Sequence, residues 1–295
     1  MRKSVVYSQN YLVNHRVIAD LVSGASIAAE DVVYEIGPGR GAITNELIKH
    51  AKKVIAYEID EELCGRLQRK YEGDSRLEVR LGDVLNVNLP DKPYKVFSNI
   101  PFSLTSDIVR KLTQTAYPPS DIYLIVQQDA AKKFIGKPYT YKNSLFSSLL
   151  APWFEVKVAH DFKNRDFFPS PRFRVVLLNI KQRKQPLVQQ KDKQLYYDFV
   201  AFTFAQFKPN VIDGLSVLIG KDKMVSLSNK IGFSKRSKPS DLEHKHWIEL
   251  FDYFLKYSNT GGKSILRGFY QKQQVRDSKL VKINRTRKNP DWRKL

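Results

Sequence analysis

A single cysteine, Cys64, stands among 295 residues, and this excludes an internal disulfide framework. One thiol fits a reducing compartment, so a cytoplasmic protein is expected. Long hydrophobic runs are missing too, and none approaches the roughly 20 residues of a membrane-spanning helix. The opening MRKSVVYSQNYLVNHR is polar where a secretion signal needs an apolar stretch, so export is not expected. Histidines number five and show no ligand spacing. In EHKHW, His244 and His246 lie two apart and would face different sides of a helix, so no metal site is expected. Acids are scarce: 30 Asp and Glu meet 50 Lys and Arg, for a net charge of +20 and a pI near 9.8. The imbalance is uneven, with 25 basic and 10 acidic residues between Lys181 and Leu295. Such a surface expects a polyanion. With no strongly amphipathic basic helix carrying an aromatic edge for lipid, nucleic acid rather than a membrane is the expected partner.

The chain is long enough for one α/β domain and a smaller second domain. Up to about Arg183, β-rich runs alternate with helical patterns. DVVYEIG (31–37), KVIAYEID (53–60), LEVRLGDV (77–84), KVFSN (95–99) and DIYLIVQ (121–127) read as strands by length and β-branched content. AITNELIKHA and EELCGRLQRKY read as helices between them, the second carrying a semi-buried Cys64. This alternation specifies an α/β, doubly wound and mostly parallel sheet. WFEVKVAHDF (153–162) and FRVVLLNIK (173–181) have no long helix between them and are expected to pair antiparallel at one edge. Beyond the charged stretch KQRKQPLVQQKDKQ, the segments LYYDFVAFTFAQF, MVSLSNKIGF and HKHWIELFDYFLKY read as amphipathic helices. Two domains are therefore expected, 1–183 and 184–295. The end, from Lys263, holds eleven basic residues against Asp277 and Asp291. It reads either as a disordered, solvating tail or as an arm that orders on RNA.

YEIGPGRGAITNEL places Gly37, Gly39 and Gly41 between a strand and a helix, where absent Cβ atoms let backbone turn tightly and approach a ligand. Glu58 closes the second strand in AYEID, where an acid can accept hydrogen bonds from both hydroxyls of an adenosine ribose. Asp83, in LGDV, ends the third strand within reach of an adenine amine. Gly37, Gly39 and Ala42 also satisfy a loose dinucleotide pattern, so a nicotinamide enzyme stands as a rival. The spacing reads better as E-x-G-x-G-x-G with Glu35 in front, and the nicotinamide reading leaves both the net charge and the next motif unexplained.

That motif is KVFSNIPFSLTSD, in which a strand runs into Asn99-Ile100-Pro101-Phe102. An exocyclic adenine amine is a poor nucleophile because its lone pair is delocalised into the ring. Two acceptors on its N–H groups, the Asn99 side-chain oxygen and the Ile100 carbonyl, would hold it pyramidal and stabilise the positive charge that builds on nitrogen. Pro101 stiffens the turn, and Phe102 offers a flat face to an extruded base. With a sulfonium methyl donor over the glycine loop, neither metal nor covalent nucleophile is needed. The turn reads as an amine-methylating site.

YSQNYL, EIGPGRG, AYEID, GDV, NIPF and FFPSPRF occur in the order found in ribosomal RNA adenine-N6 methyltransferases, and over Tyr7 to about Lys181 the chain resembles their erythromycin-resistance (Erm) branch. That resemblance implies a Rossmann-like S-adenosylmethionine-dependent sheet over 1–183 and a helical RNA-binding domain over 184–295. The expected substrate is one adenine of large-subunit ribosomal RNA, met before or during ribosome assembly by a monomer, with macrolide, lincosamide and streptogramin B resistance as the outcome. It also implies that Asn10 and Leu12 line the cofactor, that Gly37 passes beneath its methionine part with Gly39 also in the cofactor site, and that Asn99 meets both cofactor and target amine. Glu58 would bind the ribose and Asp83 the adenine ring, with Ile59 and Val84 beside them also in the cofactor site. F-x-P-x-P matches at Phe167, Pro169 and Pro171, making Phe167 the second stacking face opposite Phe102, although Phe168 beside it is an equal candidate and core packing is the plainer role. Arg172 keeps the charge of a lysine usual there. Lys132 and Lys133 match a basic helix near RNA, or else are solvated surface charges. Phe102 stands where tyrosine is common. Small-subunit dimethyladenosine transferases usually carry N-L-P-Y-N; Ile100 and Ser103 depart from it. A non-catalytic nucleic-acid-binding factor on the same fold, and a DNA amine methylase, are the remaining alternatives.

Overall fold

The computed structural model describes residues 10–140, 142–206, 208–258 and 260–279. Residues 7–9 of the first motif and 280–295 of the basic end lie outside the described residues. The chain divides into two compact units, one of Met1–Gln189 with Ser240–Ile248, the other of Gln190–Pro239 with Glu249–Leu295. Sequence reasoning puts one boundary at 183/184 and does not anticipate the return of Ser240–Ile248 to the first unit. A buried amide explains the return: Asn143 Nδ2 donates to the carbonyls of Ser240 (2.8 Å) and Leu242 (2.7 Å).

In the first unit, β1 (Tyr11–Leu12) and α1 (His15–Gly24) precede β2 (Val32–Ile36), α2 (Thr44–His50), β3 (Lys53–Glu58), α3 (Glu61–Lys70) and β4 (Leu77–Leu81). Then come β5 (Lys95–Asn99), α4 (Thr105–Thr113), β6 (Asp121–Gln127), α5 (Gln128–Ile135), α6 (Leu145–Leu150), β7 (Phe154–Asp161), β8 (Phe167–Phe168) and β9 (Val175–Gln182). Side-chain oxygens start two of the helices: Asn14 accepts from Val17 N and Asp60 from Leu63 N. The main sheet runs β4-β3-β2-β5-β6-β9-β7. Its first five strands are parallel; β9 pairs antiparallel with β6, and β7 with β9 at the edge, as expected from the missing helix. Val33, Val54, Phe97 and Ile125 pack with Ile18, Val22 and Leu47 into the core beneath one face of the sheet. Cys64 is buried on α3, and burial raises its thiol above the ordinary value.

The second unit holds α7 (Lys193–Ala205), α8 (Val211–Ile219), α9 (Lys221–Ile231), the rest of α10 (His244–Tyr257), α11 (Thr260–Leu266) and α12 (Phe269–Lys279). One expectation is corrected here. α7 is not an amphipathic surface helix: Tyr196 to Thr203 are all buried, with Phe199 against Phe251 and Phe254, and Phe202 against Phe269. A helix apolar on all sides is a central one. α8 escapes the sequence reading, because Gly214 and near-continuous apolar residues hide its period. Of the basic end, α11 and α12 run through Lys279, and the remainder lies outside the described residues. The buried Asp198 carboxylate on α7 accepts from Gly268 N and Tyr270 N, both 2.9 Å, and so caps the start of α12. Asp198→Ala leaves those two amides without a partner and is expected to cost about 2–4 kcal/mol. Thermal unfolding and faster amide exchange at Gly268 and Tyr270 are the measurements, with Asp198→Asn losing less because one acceptor remains.

Candidate active site

β2 has β3 on one side and β5 on the other, so the chain reverses the direction in which it adds strands at Ile36 and Asn99. Crevices at such switch points are where open α/β sheets bind ligands. Ser98, fully buried, ties the two strands together, its Oγ accepting from Ile36 N at 2.7 Å. The glycine loop follows at once. Gly39 has φ +56°, and a Cβ there would stand 3.1 Å from Tyr11 Cε1; a Cβ on Gly37 would meet nothing within 4 Å. The loop thus packs against the N-terminal arm at Gly39 and stays open in front of Gly37. The Arg40 guanidinium lies 5.1 Å from the Tyr11 ring centre, a cation–π contact that holds arm and loop together.

Glu58 ends β3 with its carboxylate buried. Oε2 accepts from Gly39 N at 3.0 Å, and Oε1 from Ile59 N at 2.9 Å and Asp60 N at 3.0 Å. Three backbone amides therefore fix its orientation and lock the second strand end to the glycine loop. Ile59 beside it is 58% exposed, an apolar side chain with a free face. Asp83 lies just past β4, Oδ1 accepting from Leu85 N and Oδ2 from Asn86 Nδ2, and Val84 is buried next to it.

Glu35 enters the sequence reading only as part of the glycine spacing. It is 1% exposed, and its Oε2 accepts from Thr44 Oγ1 at 2.6 Å. Burial pushes its carboxyl up to about 8; the Thr44 hydrogen bond opposes this and the neighbouring Glu58 charge adds to it. A neutral Glu35 thus spares the site a second buried charge.

Asn99 closes β5. Its Nδ2 donates to the Asn10 carbonyl at 2.9 Å, and Asn10 Nδ2 donates to the Pro169 carbonyl at 2.7 Å. Three motifs distant in sequence meet in this chain of amides. Leu12 is buried, its strand pairing with Phe167, so it belongs to the core here. Ile100 is buried and Phe102 half-buried, the Phe102 carbonyl accepting from Thr105 Oγ1 at 2.8 Å. Phe102 packs at 81° to Phe173, centroids 5.3 Å apart, a contact no sequence motif announces. Phe167 is 3% exposed and sits edge-on to Phe162, whereas Phe168 is 70% exposed. Alternation along β8 turns one ring in and the next out. Lys132 is half-buried and held by Gln128 and Asp129; Lys133 and Arg172 are exposed. Among the described residues no cluster of three or more His, Cys, Asp and Glu is placed to hold a metal ion, and no helix is long and apolar enough to cross a membrane.

A switch-point crevice with an open glycine cradle, a buried acid at the second strand end and a fixed amide at the fourth defines a Rossmann-like S-adenosylmethionine-dependent methyltransferase. The family model for ribosomal RNA adenine dimethylase matches residues 1–256, and the chain belongs to that family. Among its relatives are ribosomal RNA small subunit methyltransferase A of Listeria monocytogenes, 27% identical over 84% of this chain and 90% of that protein, and the protein of the same name from Lactobacillus johnsonii, 30% identical over 82% and 87%. Of solved structures, the 23S rRNA methyltransferase ErmE superposes with a TM-score of 0.75 at 25% identity, covering 83% of this chain and 99% of that one. A dimethyladenosine transferase from Plasmodium falciparum shares the fold at a TM-score of 0.71 and 19% identity.

Glu35 also makes stability depend on pH. Its folded value lies above the unfolded 4.5, so the folded state holds the proton more tightly. The contribution is complete below about pH 4.5 and is lost as pH rises through about 8. Glu35→Gln keeps an acceptor for Thr44 and removes the titration. Subtracting its curve of unfolding free energy against pH from the parent's is expected to leave a difference that moves against the parent between about pH 5 and 8, by up to about a few kcal/mol.

Proposed function

We infer that the enzyme methylates the N6 amine of one adenine in large-subunit ribosomal RNA, acting as a cytoplasmic monomer before or during ribosome assembly. Macrolide, lincosamide and streptogramin B resistance would follow. The observation that carries the amine chemistry is the anchored Asn99. With Nδ2 engaged by the Asn10 carbonyl, Oδ1 is the end left to accept, and it makes no hydrogen bond among the described residues. Ile100 and Ser103, departing from N-L-P-Y-N, support the large-subunit choice, as does the near-complete superposition of ErmE, whose name carries 23S rRNA. The second reading is small-subunit RNA, favoured by the names of the relatives.

When bound, S-adenosylmethionine supplies a methyl already activated on a sulfonium. Gly37 and Gly39 would lie against its methionine part, with Asn10 of the arm alongside; Leu12, buried in the core, would support the arm from behind. Glu58 would accept from the ribose, a hydroxyl sharing an oxygen with the amides already there. Ile59 and Val84 would flank the adenine, and Asp83 would accept from its amine. On the RNA side, Asn99 Oδ1 and the Ile100 carbonyl hold the target nitrogen pyramidal while positive charge develops on it, a preorganised arrangement. The amine's lost proton leaves to solvent after transfer. Pro101 fixes the direction of the turn, and Phe102 stacks on the extruded base with Phe167 as the wall behind. Lys132, Lys133 and Arg172 meet phosphates.

Asn99→Ala removes an acceptor used mainly in the transition state, so kcat is expected to fall by about 100- to 1,000-fold while cofactor affinity changes little. Single-turnover methylation and calorimetry check this, and parental turnover would refute the role. Primer extension on ribosomal RNA from a host expressing the chain is expected to stop at one large-subunit adenine. Stops at paired small-subunit adenines instead would hand the assignment to the second reading.

A further inference from the structure

The loop between β7 and β9 carries more exposed chemistry than the chain's anchoring of it requires. Its frame is rigid. Val13 N donates to the Asp166 carbonyl at 2.8 Å, and the buried Asp166 carboxylate accepts from Asn14 Nδ2 at 2.7 Å and Lys163 N at 2.8 Å. Asn164 Nδ2 reaches the Pro171 carbonyl at 3.2 Å, Ser170 Oγ donates to the Asn164 carbonyl at 3.1 Å, and the Arg174 carbonyl accepts from Gln128 N at 2.9 Å. On this frame Lys163, Arg165, Phe168, Arg172, Phe173 and Arg174 are all exposed. None of those four cations is in an ion pair among the described residues, and the loop's single acid, Asp166, faces inward.

Phe168 is the residue without a structural reason. Burying a phenylalanine is worth roughly 1.5–3 kcal/mol, yet this ring is left 70% in water on a strand paired to Tyr11, the neighbour of the residue that holds Asn99. Phe173 links the same loop to the catalytic turn through Phe102. A flat apolar ring set among unpaired cations, beside a site that takes a single base, matches the chemistry of unpaired nucleic acid: rings stack on bases and cations follow the phosphates. A protein partner would need acids at four positions and an apolar pocket for one ring. Single-stranded RNA brings both in every nucleotide.

We propose that this loop binds the single-stranded ribosomal RNA next to the target adenine, with Phe168 stacking on a flanking base and Lys163, Arg165, Arg172 and Arg174 on the adjoining phosphates. The assignment is distinct from the target base itself, which belongs to the crevice at Asn99. It rests on the reading of the enzyme as a ribosomal RNA methyltransferase and is indifferent to which subunit supplies the RNA.

The test uses the full chain and whichever of two transcripts, large- or small-subunit, the parent methylates, so the choice of subunit is decided first and separately. 2-Aminopurine replaces the nucleotide on one side of the target and then the other. With the parent, fluorescence at one of these positions is expected to be quenched on binding, and Phe168→Ala abolishes that quench. The alanine variant raises Kd and KM for RNA about tenfold while kcat at saturating RNA and cofactor affinity stay near parental values. Phe168→Trp restores quench and affinity; Phe168→Leu, equally apolar without a π face, does not. Arg165→Gln with Arg174→Gln flattens the dependence of log Kd on log salt by about 0.7 for each phosphate that is no longer neutralised. Parental Kd and unchanged fluorescence at both flanks in Phe168→Ala would overturn the proposal, and so would full rescue by leucine.

Discussion

Everything at the crevice depends on a chain of amides running through the N-terminal arm. Asn10 gives its carbonyl to Asn99 and its side chain to the carbonyl of Pro169, while the next residues pair with Phe167 and Phe168. One short segment thereby orients the amide at a strand end and fixes the aromatic loop beside it. The link matters because an amide side chain is ambivalent: it donates from one end and accepts from the other. Only an external acceptor decides which end is left for a ligand. Were the arm to detach, Asn99 would keep its position in the strand and lose its polarity.

A second constraint is electrostatic. Two acids lie buried within the same strand ends, and a low-dielectric setting tolerates one charge far better than two. Glu58 gathers three backbone amides, whereas Glu35 has a threonine hydroxyl and rises until it holds its proton. The protein separates two carboxyl groups by giving them different partners, one held by three backbone amides and the other supporting the loop neutrally. Outside the crevice the balance reverses. Exposed cations around the aromatic loop have no acids to satisfy them, and a solvated charge left unpaired costs little until a polyanion arrives.

Much of this was legible in the residues. The five parallel strands follow from β-branched runs alternating with helical periods, and the edge hairpin from the missing helix between Trp153 and Lys181. The strand-end positions of Asn99 and Glu58 were readable because each closes a β-rich run. Harder to see was the depth of α7, since a helix buried on all sides has no period to betray it. The Phe102–Phe173 contact escaped for a related reason: side chains 71 positions apart touch because two strands bring them together, and no local pattern records that. The division of Phe167 and Phe168 into a buried and an exposed ring was open in the sequence, which offered both.

Local chemistry, then, determined by itself the class of fold, the placing of the glycine loop, Glu58 and Asn99 at strand ends, and the excess of positive charge. These depend on residue type and short-range spacing, which strand pleat and turn geometry convert directly into position. Tertiary structure alone decided which end of Asn99 faces outward, which buried acid stays neutral, where Ser240–Ile248 returns, and which loop phenylalanine meets water. Each of those is set by a partner far along the chain, and distance in sequence carries no signal of nearness in space.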